Sequence, residues 1–555
     1  MSMTFPIEDV KASSTGHESY VHRILRRLAR QKPQTTIRTH GHSLSNIELA
    51  LSIHAGVAGL RGLGLPAQGT VAILTEPNHQ AMLTIRYAAH LLGASVVHLR
   101  SANPRSDAVE LSADTQARVI AETGASILVT DTAHAARAAE LGLRVGQSLR
   151  LAGYGFETGH IPNVLAEATR DPAAPTDPAW LSGLPPYEPE HRAVVTFTSG
   201  STGEPKSIGQ SHAVWNSIVG SFPGTAEPGM PSVFLAVTPV SHTIGPMVDS
   251  VLADGGSAIL HRDFRAPEVL RTIAEHRVTD TYLAVPHLYR LTDEPASTRP
   301  DLSSLRRVIY SGTPAAPHRV AEAREVFGGA LIQLYGTSEA GGISSLTPED
   351  HLEPELLPTV GRPFPWVRVR ITEPGTDREV ARGEIGEICV RAPTVMDGYL
   401  SGSGPAESEA KTADGWLRSG DLGHWDKYGY LRLTGRHGRV IKSGGLKIHP
   451  ESVERSLLAH PAVREAVVYG VQDADRVEHV HAAVVRHPEH PCSVDELVDR
   501  LNAHVSADLS PLHAPAEITF WDSMPLTERG KPDRARLRST TQQDKRPSPP
   551  WKGTP

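Results

Sequence analysis

The chain has 555 residues, more than the roughly 100–200 that one hydrophobic core usually spans, so we expect a large body and at least one smaller domain. Apolar residues make up 39% and charged residues 21%, which is ordinary for a soluble enzyme. The net charge of -7 argues against a protein that binds nucleic acid by neutralising its phosphates.

Features of targeting and redox environment point to a cytoplasmic protein. The two cysteines, Cys389 and Cys492, cannot form a disulfide framework. The first residues, MSMTFPIEDV, lack the basic and apolar regions of a secretory signal. Since no apolar run approaches the roughly 18–20 residues of a membrane helix, a membrane span is not expected either.

Residues 17–100 have the pattern of a helix, a hairpin, a second helix and a strand. The helical stretch NHQAMLTIRYAAHLLG (78–93) leads into the apolar run ASVVHL (94–99), and the same rhythm returns in TGASILVTDTAHAARAAELG (123–142). This alternation predicts a parallel sheet with helices on its faces. The Pro-rich residues 171–190 predict a surface connection.

The α/β pattern continues through LRRVIYSGTP (305–314), after which the character of the sequence changes. Residues 360–435 alternate over short runs separated by turn residues, which predicts a β-rich, barrel-like lobe. Residues 438–540 predict a small α+β domain, and the polar, Pro-rich residues 541–555 predict disorder. The predicted fold class is therefore α/β, with a large N-terminal domain over residues 1–437.

The stretch TFTSGSTGEPKSIGQSH (196–212) follows a predicted strand and concentrates Ser, Thr and Gly before a lysine. Gly200 and Gly203 allow backbone N–H groups to approach phosphate oxygens, and Lys206 adds a cation. The stretch is not a Walker A motif, because two residues rather than four separate its glycines. It predicts phosphate binding by a different kind of loop.

Five motifs, in the right order, resemble those of the adenylate-forming superfamily, which includes acyl-CoA synthetases, adenylation domains of peptide synthetases and firefly luciferase. TSGSTGEPK (198–206) resembles the phosphate loop of that superfamily. YGTSEAG (335–341) and WLRSGDLG (416–423) resemble its Tyr-Gly-x-Thr-Glu and Thr-Gly-Asp motifs. GRHGRVIKSGGLKIHPESVE (435–454) resembles its hinge, and PLTERGKPDRARL (525–537) its C-terminal Gly-Lys motif.

The resemblance implies an enzyme that joins a carboxylate to AMP, releases pyrophosphate and then passes the acyl group to a thiol. It implies ATP and Mg²⁺ as cofactors and coenzyme A as co-substrate. Because the carboxylate and the α-phosphate are both anionic, this chemistry depends on positioning and charge neutralisation. By resemblance, the β- and γ-phosphates are held by Thr198, Ser199, Gly200, Ser201, Thr202, Gly203 and Lys206.

The resemblance also implies roles for residues further along the chain. Glu339 is expected to help bind Mg²⁺, and Lys531 to bridge the carboxylate and the α-phosphate. Since Lys531 lies on a domain that is mobile in this superfamily, it is expected to act only when that domain closes. The other implied nucleotide contacts are, for the α-phosphate, Thr337 and Ser338; for adenine, Ser311, Gly312, Thr313, Tyr335 and Gly336; and for the ribose, Asp421 and Arg436.

The acid pocket is expected beside TPVSHTIGP (238–246), which resembles the family segment whose histidine forms a pocket wall. The resemblance therefore implies a pocket and catalytic role for His242. Gly245, Gly341 and Gly342 are expected to leave room for a bulky acid. Amino-acid-activating members carry Phe-Asp where this chain has Ser-His, so a hydrophobic acid without an amino group is favoured.

The hinge and the phosphate loop contain departures from the family pattern. The resemblance places the hinge at Gly438, where Asp or Lys is usual, and Ser207 stands where Gly usually follows the loop lysine. Both departures concern adenylation more than thioester formation. A second hypothesis is therefore an enzyme that mainly converts an acyl-adenylate supplied by a separate partner. The implied coenzyme A side comprises Lys442, Ser443, Gly444, Gly445 and Lys447.

Three further alternatives stay open. A ligase that loads a standalone acyl carrier protein is possible, because the chain has no attached carrier domain. A luciferase-like oxygenase would share the scaffold, although no oxygen-handling motif is visible. A non-catalytic nucleotide-binding relative is the third, and the retention of Lys531, Glu339 and Asp421 argues against it.

Overall fold

The structure is a computed structural model, and its described residues fall into two compact units. The first unit runs to Ser419 and also includes Gly423–Leu433, while the second comprises Gly420–Leu422 and the chain from Thr434 onward. The described residues are 18–39, 41–99, 111–166, 178–199, 205–225, 229–241, 243–400, 410–412, 414–436, 441–443, 446–473, 477–487, 493–527 and 530–544.

The helices follow the predicted positions closely in the first half of the chain. Within the described ranges, none is both long enough and apolar enough to cross a bilayer. In chain order the helices are α1 (Tyr20–Arg30), α2 (Asn46–Gly62), α3 (Ala81–Leu91), α4 (Ala113–Thr123), α5 (Ala135–Val145), α6 (His212–Gly220), α7 (Ile244–Ala253), α8 (Ala266–His276), α9 (Val285–Thr292), α10 (Pro317–Phe327), α11 (Pro450–Leu458), α12 (Val494–Asp508) and α13 (Arg534–Asp544).

The strands alternate with these helices up to about residue 337 and then follow one another directly. In chain order they are β1 (Thr35–Thr39), β2 (His42–Ser45), β3 (Thr70–Leu74), β4 (Ser95–His98), β5 (Ala125–Thr130), β6 (Arg150–Gly153), β7 (Arg192–Ser199), β8 (Pro205–Ser211), β9 (Val233–Ala236), β10 (Ser257–Leu260), β11 (Asp280–Ala284), β12 (Arg307–Ser311), β13 (Leu331–Thr337), β14 (Gly341–Leu346), β15 (Arg362–Pro363), β16 (Arg368–Thr372), β17 (Gly386–Arg391), β18 (Gly398–Tyr399), β19 (Leu417–Trp425), β20 (Leu431–Arg436), β21 (Ile441–Ser443), β22 (Leu446–Ile448), β23 (Val463–Gln472), β24 (Glu478–Arg486) and β25 (Glu517–Trp521).

Two large sheets form the body of the first unit. One has the order β18-β8-β7-β4-β3-β5-β6 and the other β15-β14-β13-β12-β11-β9-β10-β1-β2. Their central strands pair in parallel, as in β3 with β4 and β11 with β12, which confirms the predicted α/β class. One apolar cluster contains Val96 and Val194 of the first sheet and Phe234 and Ala258 of the second, so the two sheets share a core.

The β-rich lobe is a four-stranded sheet with the order β16-β17-β19-β20. Its alternating sequence buries one side of each strand, since Ile371, Ile388, Leu417 and Leu431 share a cluster. The parallel strands of the neighbouring sheet end on a common edge, where Ala284 of β11 pairs with Ser311 of β12. Ligand sites in open α/β sheets form at such carboxyl ends.

The second unit is built on the sheet β23-β24-β25 with a separate hairpin, β21-β22. Val468, Val484, Leu497 and Leu501 form a core on one side of the sheet, together with residues of α11 and α12. Leu537 of α13 belongs to a separate cluster with alternate residues of the same strands. Helix α13 continues to Asp544, so the disorder predicted from residue 541 begins too early.

Candidate active site

The predicted phosphate loop joins two paired strands. In the antiparallel ladder of β7 and β8, Thr198 stands opposite Lys206 and Ser199 opposite Pro205. The two ends of the loop are therefore neighbours, as a loop that folds around phosphate requires. The tip, with Gly200, Ser201, Thr202 and Gly203, lies outside the described residues, and so do the side chains of Thr198, Ser199 and Lys206.

Glu339 lies on a tight turn between β13 and β14. Thr337 pairs with Gly341 across the ladder, and the Thr337 hydroxyl oxygen accepts a hydrogen bond from Ala340 N at 3.0 Å. Gly341 has a φ of +71°, a conformation that favours glycine. The turn leaves Ser338 exposed and Glu339 half-buried.

The short strand β18 connects Glu339 to the hairpin of β7 and β8 that carries the predicted phosphate loop, called the phosphate hairpin below. Tyr399 of β18 pairs with Ile208 of β8, and Met396 N donates to the Glu339 carbonyl oxygen at 2.8 Å. The Tyr399 hydroxyl reaches Glu339 Oε1 at 3.5 Å, the long end of a hydrogen bond. Glu339 and the strand that leaves the phosphate loop therefore belong to one site. Sequence reasoning missed Tyr399, because no local spacing relates it to either motif.

The predicted adenine residues lie near the carboxyl ends of β12 and β13. These strands pair in parallel, so Ser311 and Tyr335 approach the same edge of the sheet. Gly312 is exposed with a φ of +101°. Tyr335 is only 7% exposed and packs with Ile208 and Ile343. At most an edge of its ring can therefore reach a ligand.

The predicted ribose residues are brought together in the second unit. Arg436 Nε, at the end of β20, donates to Asp421 Oδ1 at 2.5 Å. Asp421 is buried on β19, directly after Gly420, whose φ is +72°. A charge-assisted bond of this kind fixes the orientation of the carboxylate. The pair is thus arranged before any ligand binds.

Lys531 is presented by a closed turn of the second unit. Thr527 N donates to the Lys531 carbonyl oxygen at 2.7 Å, and Lys531 N donates to the Thr527 hydroxyl oxygen at 3.2 Å. Gly530 within this turn has a φ of +68°. The Lys531 residue is exposed, whereas Asp533 is 1% exposed and accepts a hydrogen bond from Arg536 N in the first turn of α13. The backbone of the lysine is therefore held by hydrogen bonds at an exposed position.

The predicted coenzyme A side is the hairpin of β21 and β22, in which Lys442 pairs with Lys447 and Ser443 with Leu446. Its turn residues, Gly444 and Gly445, lie outside the described residues, as do the side chains of both lysines. The predicted hinge residue Gly438 lies outside them too. Their proposed roles therefore stay predictions.

The glycines predicted to enlarge the acid pocket have close neighbours. A Cβ on Gly245 of α7 would lie 2.3 Å from the Val240 carbonyl oxygen, and one on Gly342 would lie 3.2 Å from the Phe364 ring. On Gly341 it would lie 3.0 Å from the Thr394 side chain. A side chain at any of the three positions would therefore meet other atoms closely, and their role in the acid pocket stays a prediction. His242 lies outside the described residues.

Comparison with known proteins matches the chain to two families. Residues 25–400 match the family described as AMP-binding enzyme, and residues 452–531 match the AMP-binding enzyme C-terminal domain. The first match covers most of the chain and includes the phosphate hairpin and the Glu339 turn. The second includes Lys531.

Relatives of known name cover most of the chain. A feruloyl-CoA synthase from Amycolatopsis is 31% identical over 91% of this chain and 96% of its own. The medium/long-chain-fatty-acid–CoA ligase FadD8 of Mycobacterium tuberculosis is 34% identical over 69% of this chain and 67% of its own. Among solved structures, the amide bond synthetase McbA of Marinactinospora thermotolerans is 34% identical, with a TM-score of 0.79, over 94% of this chain and 99% of its own.

The chain belongs to the AMP-binding enzyme family, within the CoA ligase branch of the adenylate-forming superfamily. It is an enzyme of the ATP-dependent acid–thiol ligase class.

Proposed function

We propose that the protein converts a hydrophobic, non-amino carboxylic acid into its coenzyme A thioester through an acyl-adenylate, in the cytoplasm. The observation that carries this proposal is the junction at β18. There, one short strand pairs with the phosphate hairpin and its Tyr399 contacts Glu339, while Met396, just before the strand, donates to the Glu339 carbonyl oxygen. An acid group beside a phosphate loop suits a reaction on a metal-bound nucleotide.

The residues present fit a magnesium ion held together with nucleotide phosphates. Glu339 offers a half-buried carboxylate, and Mg²⁺ in nucleotide sites usually takes one or two carboxylates besides phosphate oxygens and water. No group of three or more His, Cys, Asp or Glu within the described residues is placed to hold a metal by itself. The ion would neutralise charge on the triphosphate.

The chain's own residues supply the rest of adenylation. Residues 198–206 hold the outgoing pyrophosphate, and Asp421, oriented by Arg436, receives the ribose hydroxyls. Lys531 brings a positive charge to the carboxylate and the α-phosphate when the second unit closes. In the second step, a different orientation of the second unit brings the β21-β22 hairpin to the thiol, so the two half-reactions use alternate positions of that domain.

The nature of the acid follows from the segment at 238–246 and from the relatives. The Ser-His pair lacks the carboxylate that would hold a substrate amine. Two relatives, the fatty-acid–CoA ligase and the feruloyl-CoA synthase, are named for acids that carry no amino group. Both features support a largely apolar acid.

The hypothesis of weak adenylation depends on two departures from the family pattern, Ser207 and Gly438, of which the structure describes the first. Ser207 is a regular strand residue of β8 that pairs with Phe197, and its carbonyl oxygen accepts from Leu400 N at 3.0 Å. Nothing in that backbone requires glycine. A complete two-step ligase therefore remains the proposal, ahead of an enzyme that receives a supplied adenylate or loads a carrier protein.

A second candidate product is an amide, favoured by the similarity to McbA along nearly the whole chain. In that case an amine, rather than coenzyme A, would attack the acyl-adenylate. The two products share the adenylation half and differ only in the acceptor.

The test supplies ATP, Mg²⁺ and a panel of fatty, aryl and polycyclic acids, and follows pyrophosphate exchange. Exchange with a hydrophobic acid is the expected result, and no exchange with any acid would contradict the proposal. The best acid is then incubated with coenzyme A or with primary amines, and the products are identified by mass spectrometry. A thioester supports the proposal; an amide alone would replace it with the second candidate.

A further inference from the structure

The chain between β9 and α7 is held in place by a buried asparagine from a distant part of the sequence. Asn78 Oδ1 accepts a hydrogen bond from Val240 N at 2.8 Å. Its amide nitrogen donates to the carbonyl oxygens of Thr238 at 3.0 Å and of His261 at 2.7 Å. Asn78 is 3% exposed, so these three bonds form away from water, where an unmade bond is costly.

A buried arginine bonds the carbonyl group of the same residue, Val240. Arg86 Nη1 on α3 donates to the Val240 carbonyl oxygen at 3.1 Å, and its Nη2 lies 2.5 Å from Asp249 Oδ1 on α7. Asp249 also accepts from the Tyr87 hydroxyl at 2.6 Å and from Trp215 Nε1 at 3.3 Å. The planar guanidinium thereby ties the peptide of Val240 to the helix that follows it.

Both backbone polar groups of Val240 are therefore bonded by side chains rather than by a neighbouring strand. Asn78 itself has a φ of +56°, in the left-handed region that glycine favours and asparagine tolerates. The glycine at 245 lets the Val240 carbonyl approach α7, because a Cβ there would lie 2.3 Å from that oxygen and 3.0 Å from Arg86 Nη1. The two anchors and this close approach therefore restrain the backbone of the segment at Val240.

We propose that Asn78 and Arg86 are positioning residues for the acid pocket: they fix the segment Thr238–Ser241, which leads directly into the predicted pocket wall. This inference rests on the proposed function, since it takes the segment to border the acid. Neither side chain needs to contact substrate. Their effect on catalysis passes through the backbone of Val240.

Two variants test the inference, each with a matched control. Asn78→Gly keeps the left-handed backbone conformation accessible and removes the side-chain amide. Arg86→Lys keeps the positive charge but removes the planar guanidinium, which donates to two acceptors at once. Asn46→Ala removes another buried amide, one that bonds Gln34 N and the Leu28 carbonyl oxygen.

Arg307→Lys is the control for the arginine. Arg307 is also buried and paired with a buried carboxylate, Asp280, and donates to a backbone carbonyl, that of Pro223. Its described hydrogen bonds and ion pair lie with Asp280 and Pro223, not with the segment at 238–241. A general loss of stability would affect variants and controls alike. A loss of positioning in the acid pocket would affect only Asn78→Gly and Arg86→Lys.

Steady-state kinetics with the best acid should show its KM raised about 10-fold in Asn78→Gly and Arg86→Lys, which corresponds to about 1.4 kcal/mol. The KM for ATP should stay within about twofold, and the controls should change neither constant. Unchanged acid KM in both variants, or an equal rise in the controls, would overturn the inference.

Amide hydrogen exchange gives a readout that needs no turnover. The peptide containing Val240 should exchange at least about 10-fold faster in Asn78→Gly than in the wild type or in Asn46→Ala. Equal exchange in all three would overturn the anchoring role. A wild type that activates no acid, with the exchange difference present, would instead refute the proposed function and with it the link to an acid pocket.

Discussion

At the residue scale, the site depends on how individual polar groups are held. The Glu339 backbone is bonded by Met396 N, and its carboxylate faces the Tyr399 hydroxyl. Asp421 is oriented in the same manner by Arg436. If these carboxylates bind a nucleotide as proposed, contacts that orient them beforehand reduce the reorganisation that binding and catalysis require.

Replacement of Glu339 tests its role in holding the metal–nucleotide complex. Glu339→Gln keeps the shape and removes the charge, so we expect pyrophosphate exchange to fall about 100-fold and to require more Mg²⁺. Glu353→Gln, at an exposed position, is the control and should leave both unchanged. Wild-type Mg²⁺ dependence in Glu339→Gln would show that the carboxylate binds no metal.

At the element scale, two short elements matter more than their length suggests. The two-residue strand β18 joins the phosphate hairpin to the Glu339 turn. The turn from Thr527 to Lys531 closes through three hydrogen bonds between backbone groups and the Thr527 side chain. These bonds hold the backbone of an exposed lysine, as the proposed role of Lys531 in adenylation requires.

The lysine turn should serve only the first half-reaction. We expect Lys531→Ala to lower pyrophosphate exchange about 100-fold or more, because the charge that brings carboxylate and α-phosphate together is lost. Thioester formation from a synthetic acyl-adenylate should stay within about threefold. Lys427→Ala, whose side chain is 74% exposed, is the control. Equal losses in both half-reactions would refute an adenylation-specific role.

At the scale of the whole molecule, buried histidines link stability to pH. Burial lowers the pKa of His98 and His287 to about 3 and that of His212 to about 4, from an ordinary 6.5. The unfolded chain binds protons at these groups below about pH 6.5, whereas the folded chain does not. Stability should therefore fall as the pH decreases from about 6.5 toward 4.

Each of these histidines should remove about 1 kcal/mol of unfolding free energy per pH unit within that window. Urea unfolding midpoints at about pH 7.5 and about pH 5.5 measure the effect. His287→Phe, which can keep the stacking on Phe264 at a ring distance of 3.9 Å, should weaken the dependence. A midpoint that does not change with pH would contradict the prediction.

The sequence by itself determined the α/β class, the order of the motifs and the identity of most candidate site residues. The Ser, Thr and Gly content of TSGSTGEPK is a local property that indicates phosphate binding without coordinates, whereas YGTSEAG could be interpreted only through its resemblance to a family motif. The structure then paired the ends of the first motif and placed the second on a hairpin turn.

Only the tertiary structure showed which residues that are distant in sequence contact the segments of the candidate site. It also showed at which glycines a Cβ would meet neighbouring atoms. Asn78 and Arg86 bond Val240 across 162 and 154 positions of sequence, and Tyr399 reaches Glu339 across 60. Gly245 was predicted to make room for an acid, yet a backbone carbonyl occupies that space. Such contacts depend on sheet order and close packing, which bring together segments that no local spacing connects.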